Sequence, residues 1–170
     1  SPGRAERVGH ALMAPDLFSG WGVRTVASGE SRYNPISYHN GTIWPHDCSI
    51  IAAGLARYGM GEQAAQILSG LFDVACRLPE FRMPELFCGF PRRAGEGPVS
   101  FPSACTPQAW ASGAVFLMLQ ACLAVDIDAA KQEIGAVARV GRPCDRGFRR
   151  PAVHEDGRKP RWRRVRAHDQ

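Results

Sequence analysis

The sequence has no apolar run long enough to cross a membrane. A membrane-spanning helix needs about 20 consecutive apolar residues, and every apolar stretch of the 170-residue chain is interrupted sooner. No signal peptide is visible either, and the chain opens at Ser1-Pro2-Gly3 without an initiator Met. We therefore expect a cytoplasmic protein with no membrane partner, and we expect a further N-terminal part to precede Ser1.

Several catalytic signatures are also missing. The chain contains no G-x-S-x-G, no phosphate-binding P-loop and no H-E-x-x-H sequence, which argues against serine hydrolases, P-loop nucleotide enzymes and zinc proteases. A cysteine nucleophile is disfavoured, because no cysteine stands in a basic, exposed sequence context.

Cysteine pairs of the C-x-x-C type are missing, although there are six cysteines. Cys48, Cys76 and Cys122 lie inside apolar runs. That placement predicts buried, reduced thiols rather than zinc ligands or a disulfide framework. We expect neither a metal nor an organic cofactor.

Positive charge is scarce until the end of the chain. Residues 1–130 carry 9 Lys and Arg against 11 Asp and Glu, whereas residues 131–170 carry 12 against 5. We predict a folded domain over 1–130 and a basic tail over 131–170 without helical or strand periodicity. The tail is interpreted as disordered, as a nucleic-acid arm, or as a shifted reading frame. Only Phe148 and Trp162 interleave with its arginines, so nucleic-acid binding is not favoured.

Apolar periodicity predicts an all-α domain. Helices are expected from Ser1 to Ala14, over 48–58, over 61–78, and from a cap at Thr106-Pro107 to Val125. Gly59 should end the second helix and join it to the third as an α-hairpin. The residues predicted to form apolar helix faces, with Phe72 and Phe116 in the core, are Ile50, Ile51, Leu55 and Tyr58, then Ala64, Ile67, Leu68, Leu71, Phe72 and Ala75.

Two long loops, over 17–37 and 79–102, interrupt the helices, and one strand pair is expected near Gly22–Ala27. Structureless loops of this length inside a domain usually serve a function. The rhythm of helix pairs and loops fits a toroid of α-hairpins, with a pocket lined by loops at one end.

Polar and aromatic side chains are densest over residues 38–47, YHNGTIWPHD. Aromatic rings on loops can stack on sugar faces, while amides and carboxylates bind hydroxyls; alternatively, these rings anchor the loops. Asp47 caps the following helix, or it orients a neighbouring His or holds a hydroxyl. Trp110 lies near a helix start, where packing in the core is the favoured interpretation, although a residue in the first turn can also reach a pocket.

Glu85 stands out among the carboxylates because it follows Pro84 and precedes Leu86-Phe87 on a loop. It is either solvated, as most Glu residues are, or held in an aromatic-lined pocket. A pocket would tune its proton affinity, as a general base requires.

Four segments together resemble the glycogen-debranching enzymes, the amylo-α-1,6-glucosidase family. Residues 38–45 resemble its Y-H-x-G-x-x-W-P stretch, and residues 20–25, GWGVRT, resemble its G-W-G-[IV]-R-T stretch. Pro84-Glu85-Leu86 is similar to its P-E-L segment, and residues 105–110 are similar to its C-x-x-Q-A-W segment.

The resemblance implies the C-terminal part of a six-hairpin (α/α)6 toroid that hydrolyses α-glucan with inversion. It implies Glu85 as general base, with the general acid an upstream Asp that has no match here, so we expect no catalysis by this chain alone. It also implies that Tyr38, His39, Trp44, His46 and Asp47 form the wall of the sugar subsite, with Trp44 as the platform. We expect Asn40, Trp21 and Gln108 to bind substrate as well.

A different class remains open from the residues alone. The chain could be a non-catalytic helical module, either carbohydrate-binding or a basic-tailed interaction protein. The partners expected from the two interpretations differ. A glycoside hydrolase would bind an oligo- or polysaccharide and the N-terminal part of the same domain, whereas a basic-tailed interaction protein would bind a macromolecule through its tail.

Overall fold

The computed structural model describes residues 2–128 and 133–136, and this part of the chain is mostly helical, in agreement with the all-α prediction. None of its helices is both long and apolar enough to cross a bilayer. The elements are α1 (Pro2–Leu12), α2 (Pro45–Arg57), α3 (Gly61–Ala75), a 3-10 turn (Pro79–Phe81), α4 (Ala109–Leu123), β1 (Val125–Asp128) and β2 (Glu133–Ala136).

Helix α2 is the centre of the core, since it packs against both α3 and α4, which also contact each other. Its buried face consists largely of small residues, among them Ser49, Ala52 and Ala56. Small side chains allow the helix axes to approach closely. The predicted face was therefore wrong in part, because Ile50 and Tyr58 are each 62% exposed.

The helix ends differ from the predictions by a few residues. Helix α2 begins at Pro45 rather than Cys48, because extended Trp44 is its N-cap and Pro fits the first helical position. Helix α3 ends at Ala75, short of Leu78. Helix α4 begins at Ala109 after Gln108, whose side chain accepts the first N–H, so the cap predicted at Thr106 was wrong.

Two aromatic residues predicted for the core lie on the surface instead. Phe72 on α3 is 64% exposed and Phe116 on α4 is 74% exposed. Helix α4 is apolar on every side and carries no charged residue, so periodicity could not indicate which side is buried. The side that faces the core contains Ala111, Ala114, Met118 and Ala121.

Strands β1 and β2 form an antiparallel hairpin that pairs Val125 with Ala136 and Asp128 with Glu133. The hairpin extends across the predicted domain boundary at residue 130. The prediction that 131–170 lacks strand structure was wrong for Glu133–Ala136. The other expectations for the tail concern residues outside those that the structure describes.

The long loops are held to one another by single antiparallel bridges. Arg24 pairs with Ile43, Ile43 pairs with Phe87, and Phe87 pairs with Ser100. The strand pair expected near Gly22–Ala27 is replaced by two such bridges, at Val23 and Arg24. Four stretches of loop therefore lie side by side.

The cysteines confirm the burial prediction only in part. Cys48 is fully buried, and this burial raises the pKa of its thiol to about 12. Burial also raises the pKa of Cys88. Cys76 is exposed, because it follows the last residue of α3 at the surface, so its predicted burial was wrong.

Gly59 ends α2 as predicted, with a φ of 85°. The N–H of Met60 donates to the carbonyl of Leu55 and the N–H of Gly59 donates to that of Ala56, which is a Schellman cap. No atom would contact a Cβ at Gly59 or at Gly54, which lies inside α2. The two positions therefore differ in backbone conformation rather than in available space.

We expect Gly59→Ala to lower the free energy of unfolding by about 1 kcal/mol, because an L-residue resists a positive φ. Gly54→Ala should raise it by up to about 1 kcal/mol through better helix propensity. Urea unfolding followed by circular dichroism measures both changes. Equal effects of the two substitutions would contradict this description of the helix end.

Candidate functional site

The site is built on buried Arg24, which belongs to the GWGVRT segment and is 4% exposed. Its Nε donates to the carbonyl of Gly89 at 2.6 Å, and its Nη1 donates to the carbonyls of Pro15 and Asp16 at 3.1 and 3.0 Å. A buried guanidinium needs such acceptors, since an unsatisfied charge in the interior is costly. Arg24 thereby fixes the first loop against the loop that carries Glu85.

The YHNGTIWPHD segment is fixed to the same scaffold by backbone hydrogen bonds. The N–H of Thr25 donates to the carbonyl of Thr42 at 3.0 Å, and the N–H of Gly41 donates to Thr25 Oγ1 at 2.9 Å. Ile43 and Phe87 exchange two N–H···O bonds of 3.0 Å each. These bonds bring residues 38–47 alongside the Pro84-Glu85-Leu86 segment.

Glu85 is a buried carboxylate, 9% exposed, at the meeting point of these segments. Tyr38 Oη donates to its Oε1 at 2.7 Å, and the Cys105 N–H donates to its Oε2 at 3.4 Å. The Glu85 N–H in turn donates to the Cys105 carbonyl at 2.9 Å. No Lys, Arg or His forms an ion pair with Glu85 within the described residues, so neutral donors alone hold its carboxylate.

The hydrogen bond from Tyr38 to Glu85 raises the pKa of the Tyr38 hydroxyl above its ordinary value of 10.0, and desolvation and the Glu85 charge act in the same direction. The folded protein therefore holds this proton more tightly than the unfolded chain. The stability that this bond contributes is present below pH 10 and is lost as the pH rises through the folded-state pKa.

A spectrophotometric titration of tyrosinate should show this shift. The difference between wild type and Tyr38→Phe isolates one ionisation, which we expect above pH 10. The comparison is repeated between Glu85→Gln and the double variant Glu85→Gln/Tyr38→Phe. There the pKa of Tyr38 should move back toward 10, because the Glu85 charge is removed and the hydrogen bond from Tyr38 is weakened. An ionisation of Tyr38 unchanged by Glu85→Gln would contradict the 2.7 Å contact.

Aromatic rings surround Tyr38 on several sides. His39 and Trp44 meet its ring edge to face, with centroids at 4.7 and 4.8 Å, and Phe101 lies at 5.6 Å. His39 also lies parallel to Trp44 and is exposed. The structure thus brings the predicted residues Tyr38, His39 and Trp44 together beside Glu85.

Trp44 was predicted to be a sugar platform, but its ring is only 6% exposed. Its Nε1 donates to Thr42 Oγ1 at 3.0 Å and to the Tyr38 carbonyl at 3.3 Å. Tyr38, His39 and His46 enclose the ring. Its placement corrects the prediction, because a ring covered in this way supports its neighbours rather than presenting a face.

His46 connects this cluster to helix α4. Its ring lies edge to face against Trp44 at 5.6 Å and stacks on Trp110, with centroids 4.2 Å apart and planes 18° apart. Its Nε2 lies 3.3 Å from Asp47 Oδ1. His46 Nδ1 is buried without a hydrogen-bond partner in the described part of the chain, so it has unused hydrogen-bonding capacity.

Asp47 does not cap α2, because it is the third helical residue and the helix start has no side-chain cap. Its contact with His46 agrees with the other interpretation of this residue, the orientation of a neighbouring His. Trp110, expected in the core, is 50% exposed. Sequence reasoning missed this position because the first turn of an apolar helix gives no signal of which side is covered.

Three further predicted residues make contacts outside the Glu85 cluster, which consists of Glu85, Tyr38, His39, Trp44, His46 and Phe101. Trp21 is 2% exposed and lies beneath the guanidinium groups of Arg92 and Arg77, which corrects its predicted contact with substrate. Asn40 donates its amide to Ser37 Oγ at 2.9 Å within a turn. Gln108 uses its side-chain oxygen to cap α4.

A cavity of about 310 Å³ lies elsewhere, between α1 and α2. Its lining is mainly apolar and includes Val8, Leu12, Ile51 and Leu55, with none of the predicted site residues. The side chains predicted to bind or act on a substrate therefore lie outside this cavity. Carboxylate, hydroxyl and imidazole groups converge at Glu85 instead.

No family model matches the chain, and no curated protein matches it significantly.

Proposed function

We propose that this chain is part of a glycoside hydrolase that acts on α-glucan, most like an amylo-α-1,6-glucosidase. We also propose that its helices belong to an (α/α)6 toroid of α-hairpins. The observation that carries the proposal is buried Glu85, held by Tyr38 and by the Cys105 backbone and flanked by an aromatic cluster.

The contacts of Glu85 suit a general base. Tyr38 and the Cys105 N–H each donate to one carboxylate oxygen, which fixes the plane of the group and leaves other lone pairs to accept a proton. A base in this role takes a proton from water as that water attacks the anomeric carbon. Because its donors are neutral, Glu85 is not tied up in an ion pair.

The general acid is proposed to come from chain outside the described residues. An inverting pair of carboxyl groups stands about 6.5–9.5 Å apart to admit the water. Within the described residues, Asp47 is attached to the aromatic cluster through His46, and its side chain is half exposed. Asp47 belongs to the sugar-binding wall in this proposal, and the acid is the upstream Asp that the resemblance implies.

The convergence of the four motif segments supports the proposal. Residues 20–25 contact residues 38–45 and Gly89, residues 38–45 contact Phe87 and Glu85, and Cys105 contacts Glu85. Segments up to 80 residues apart in sequence thus form one wall. A shared binding site gives a physical reason for these segments to meet.

Calorimetric titration of the chain with maltoheptaose tests the substrate class, and cellohexaose, a β-glucan, is the matched control. We expect saturable binding of maltoheptaose and at least about tenfold weaker binding of cellohexaose. Side chains that hydrogen-bond to sugar hydroxyls distinguish the α-linked from the β-linked chain, because the two present their hydroxyls in different directions. Equal affinities, or no binding of either sugar, would contradict an α-glucan site.

A non-catalytic carbohydrate-binding module is the second candidate. It is favoured by one observation: the two donors to Glu85 are neutral, which suits a carboxylate that only binds sugar hydroxyls as well as one that acts as a base. Both candidates predict maltoheptaose binding, so hydrolysis by a protein that also contains the upstream Asp separates them.

A further inference from the structure

Trp110 is the most exposed large ring attached to the Glu85 cluster. It is the second residue of α4 and is 50% exposed. One side of the indole stacks on His46 at 4.2 Å. The exposed half therefore belongs largely to the opposite side, which faces solvent.

The orientation of this ring is fixed rather than free. His46 is itself held by Asp47 at 3.3 Å and by the edge-to-face contact with Trp44. Trp44 in turn contacts Tyr38, whose hydroxyl donates to Glu85. A continuous series of ring contacts therefore connects the open side of Trp110 with the carboxylate. Ligand sites combine flat apolar surfaces with a few placed polar groups, and this series has both.

Ordinary exposed apolar residues on the same helix lack this support. Phe116, two turns further along α4, is 74% exposed, and no ring contact to it is present in the described residues. An isolated exposed aromatic residue requires no explanation. Trp110 differs from Phe116 in its stacked partner and in its connection to Glu85.

We propose that the solvent-facing side of Trp110 stacks against a glucose ring of the bound α-glucan. Apolar C–H groups on a pyranose face match a flat aromatic surface of this size, and an indole gives a large contact at low conformational cost. This proposal rests on the proposed function and adds a contact that the sequence had assigned to the core. Because Trp44 is covered, Trp110 takes the platform role that was expected of Trp44.

The test uses the full chain and maltoheptaose as the probe, with affinity measured by calorimetry. We expect Trp110→Ala to weaken binding at least about tenfold, through loss of the stacking surface. Trp110→Phe retains a flat ring and should weaken binding no more than about threefold. The matched control is Phe116→Ala, which removes an even more exposed ring from the same helix and should leave the affinity unchanged. Circular dichroism of each variant reports whether α4 is intact.

The outcomes separate the two proposals. If wild type binds maltoheptaose and Trp110→Ala binds equally well, the platform is overturned while the proposed function stands. If Phe116→Ala weakens binding as much as Trp110→Ala, the effect comes from the helix rather than from the ring, and the platform is again overturned. If wild type does not bind maltoheptaose, the proposed function fails and the platform fails with it.

Discussion

Replacing Glu85 with Gln is expected to lower the turnover number for glucose release from a branched dextrin by about 10²–10⁴-fold, the usual contribution of a general base. The assay uses a protein that joins these residues to the N-terminal segment, with its Asp, that the proposal assigns to the same domain. The carboxamide keeps an oxygen that can accept from Tyr38, whose hydroxyl lies 2.7 Å from Oε1, so the local structure should persist. It cannot accept the proton of the attacking water, so the chemical step is lost.

Glu80→Gln is the matched control, since Glu80 lies five residues away, is exposed and pairs with Arg82 at the surface. Its turnover should equal that of wild type. Glu85→Gln should also bind maltoheptaose within about threefold of wild type, because the base contributes to the chemical step rather than to ground-state binding. Retained turnover in Glu85→Gln would refute the assignment of the base. Retained binding without any hydrolysis in the wild type would favour the carbohydrate-binding module.

The largest structural effect is expected for Gly89→Ala, which should lower the free energy of unfolding by about 3 kcal/mol. A Cβ at this position would overlap the carbonyl oxygen of Gly41, a backbone atom that cannot turn aside. The carbonyl of Gly89 also accepts from Arg24 Nε at 2.6 Å and from Tyr33 Oη at 3.1 Å. Displacement of this residue therefore disturbs the join between the two long loops.

Gly97→Ala is the control for this substitution, because its Cβ would make only an ordinary contact, 3.8 Å from Arg77 Cδ. Its effect should stay within about 0.5 kcal/mol. Urea unfolding measures both variants. If Gly89→Ala is as stable as Gly97→Ala, the close approach of the loop backbones at Gly41 is incorrect.

The helices could be located from the sequence because their signals are local. Gly59 marks an end through its tolerance of positive φ. The start of α2 was predicted only to within three residues, because Pro45, whose fixed φ suits the first helical position, was not recognised as part of the helix. The buried sides of the helices were harder to predict. Phe116 lies on a helix with no polar side, and only the position of α2 decides that Ala111 and Ala114 face inward.

For the candidate site, too, the residues could be identified from the sequence but their contacts could not. Residues 38–47 could be singled out because polar and aromatic side chains are densest there, and Glu85 because Pro84, Leu86 and Phe87 flank it on a loop. Their contacts could not be predicted, because Tyr38 and Glu85 are 47 residues apart and meet through loop geometry alone. The burial of Trp44 and the exposure of Trp110 were missed for the same reason. Burial of Trp44 depends on three neighbouring rings, which no local pattern specifies.

The measurement that tests the central claim most directly is the anomeric form of the first glucose released from a branched dextrin, followed by proton NMR. The protein again joins these residues to the segment with the upstream Asp. Water activated by Glu85 attacks the face opposite the leaving group, so the α-linkage should yield β-glucose before mutarotation. Initial release of α-glucose would contradict the role of Glu85 as the base of an inverting enzyme, and absence of any glucose release would contradict the assignment to glycoside hydrolysis.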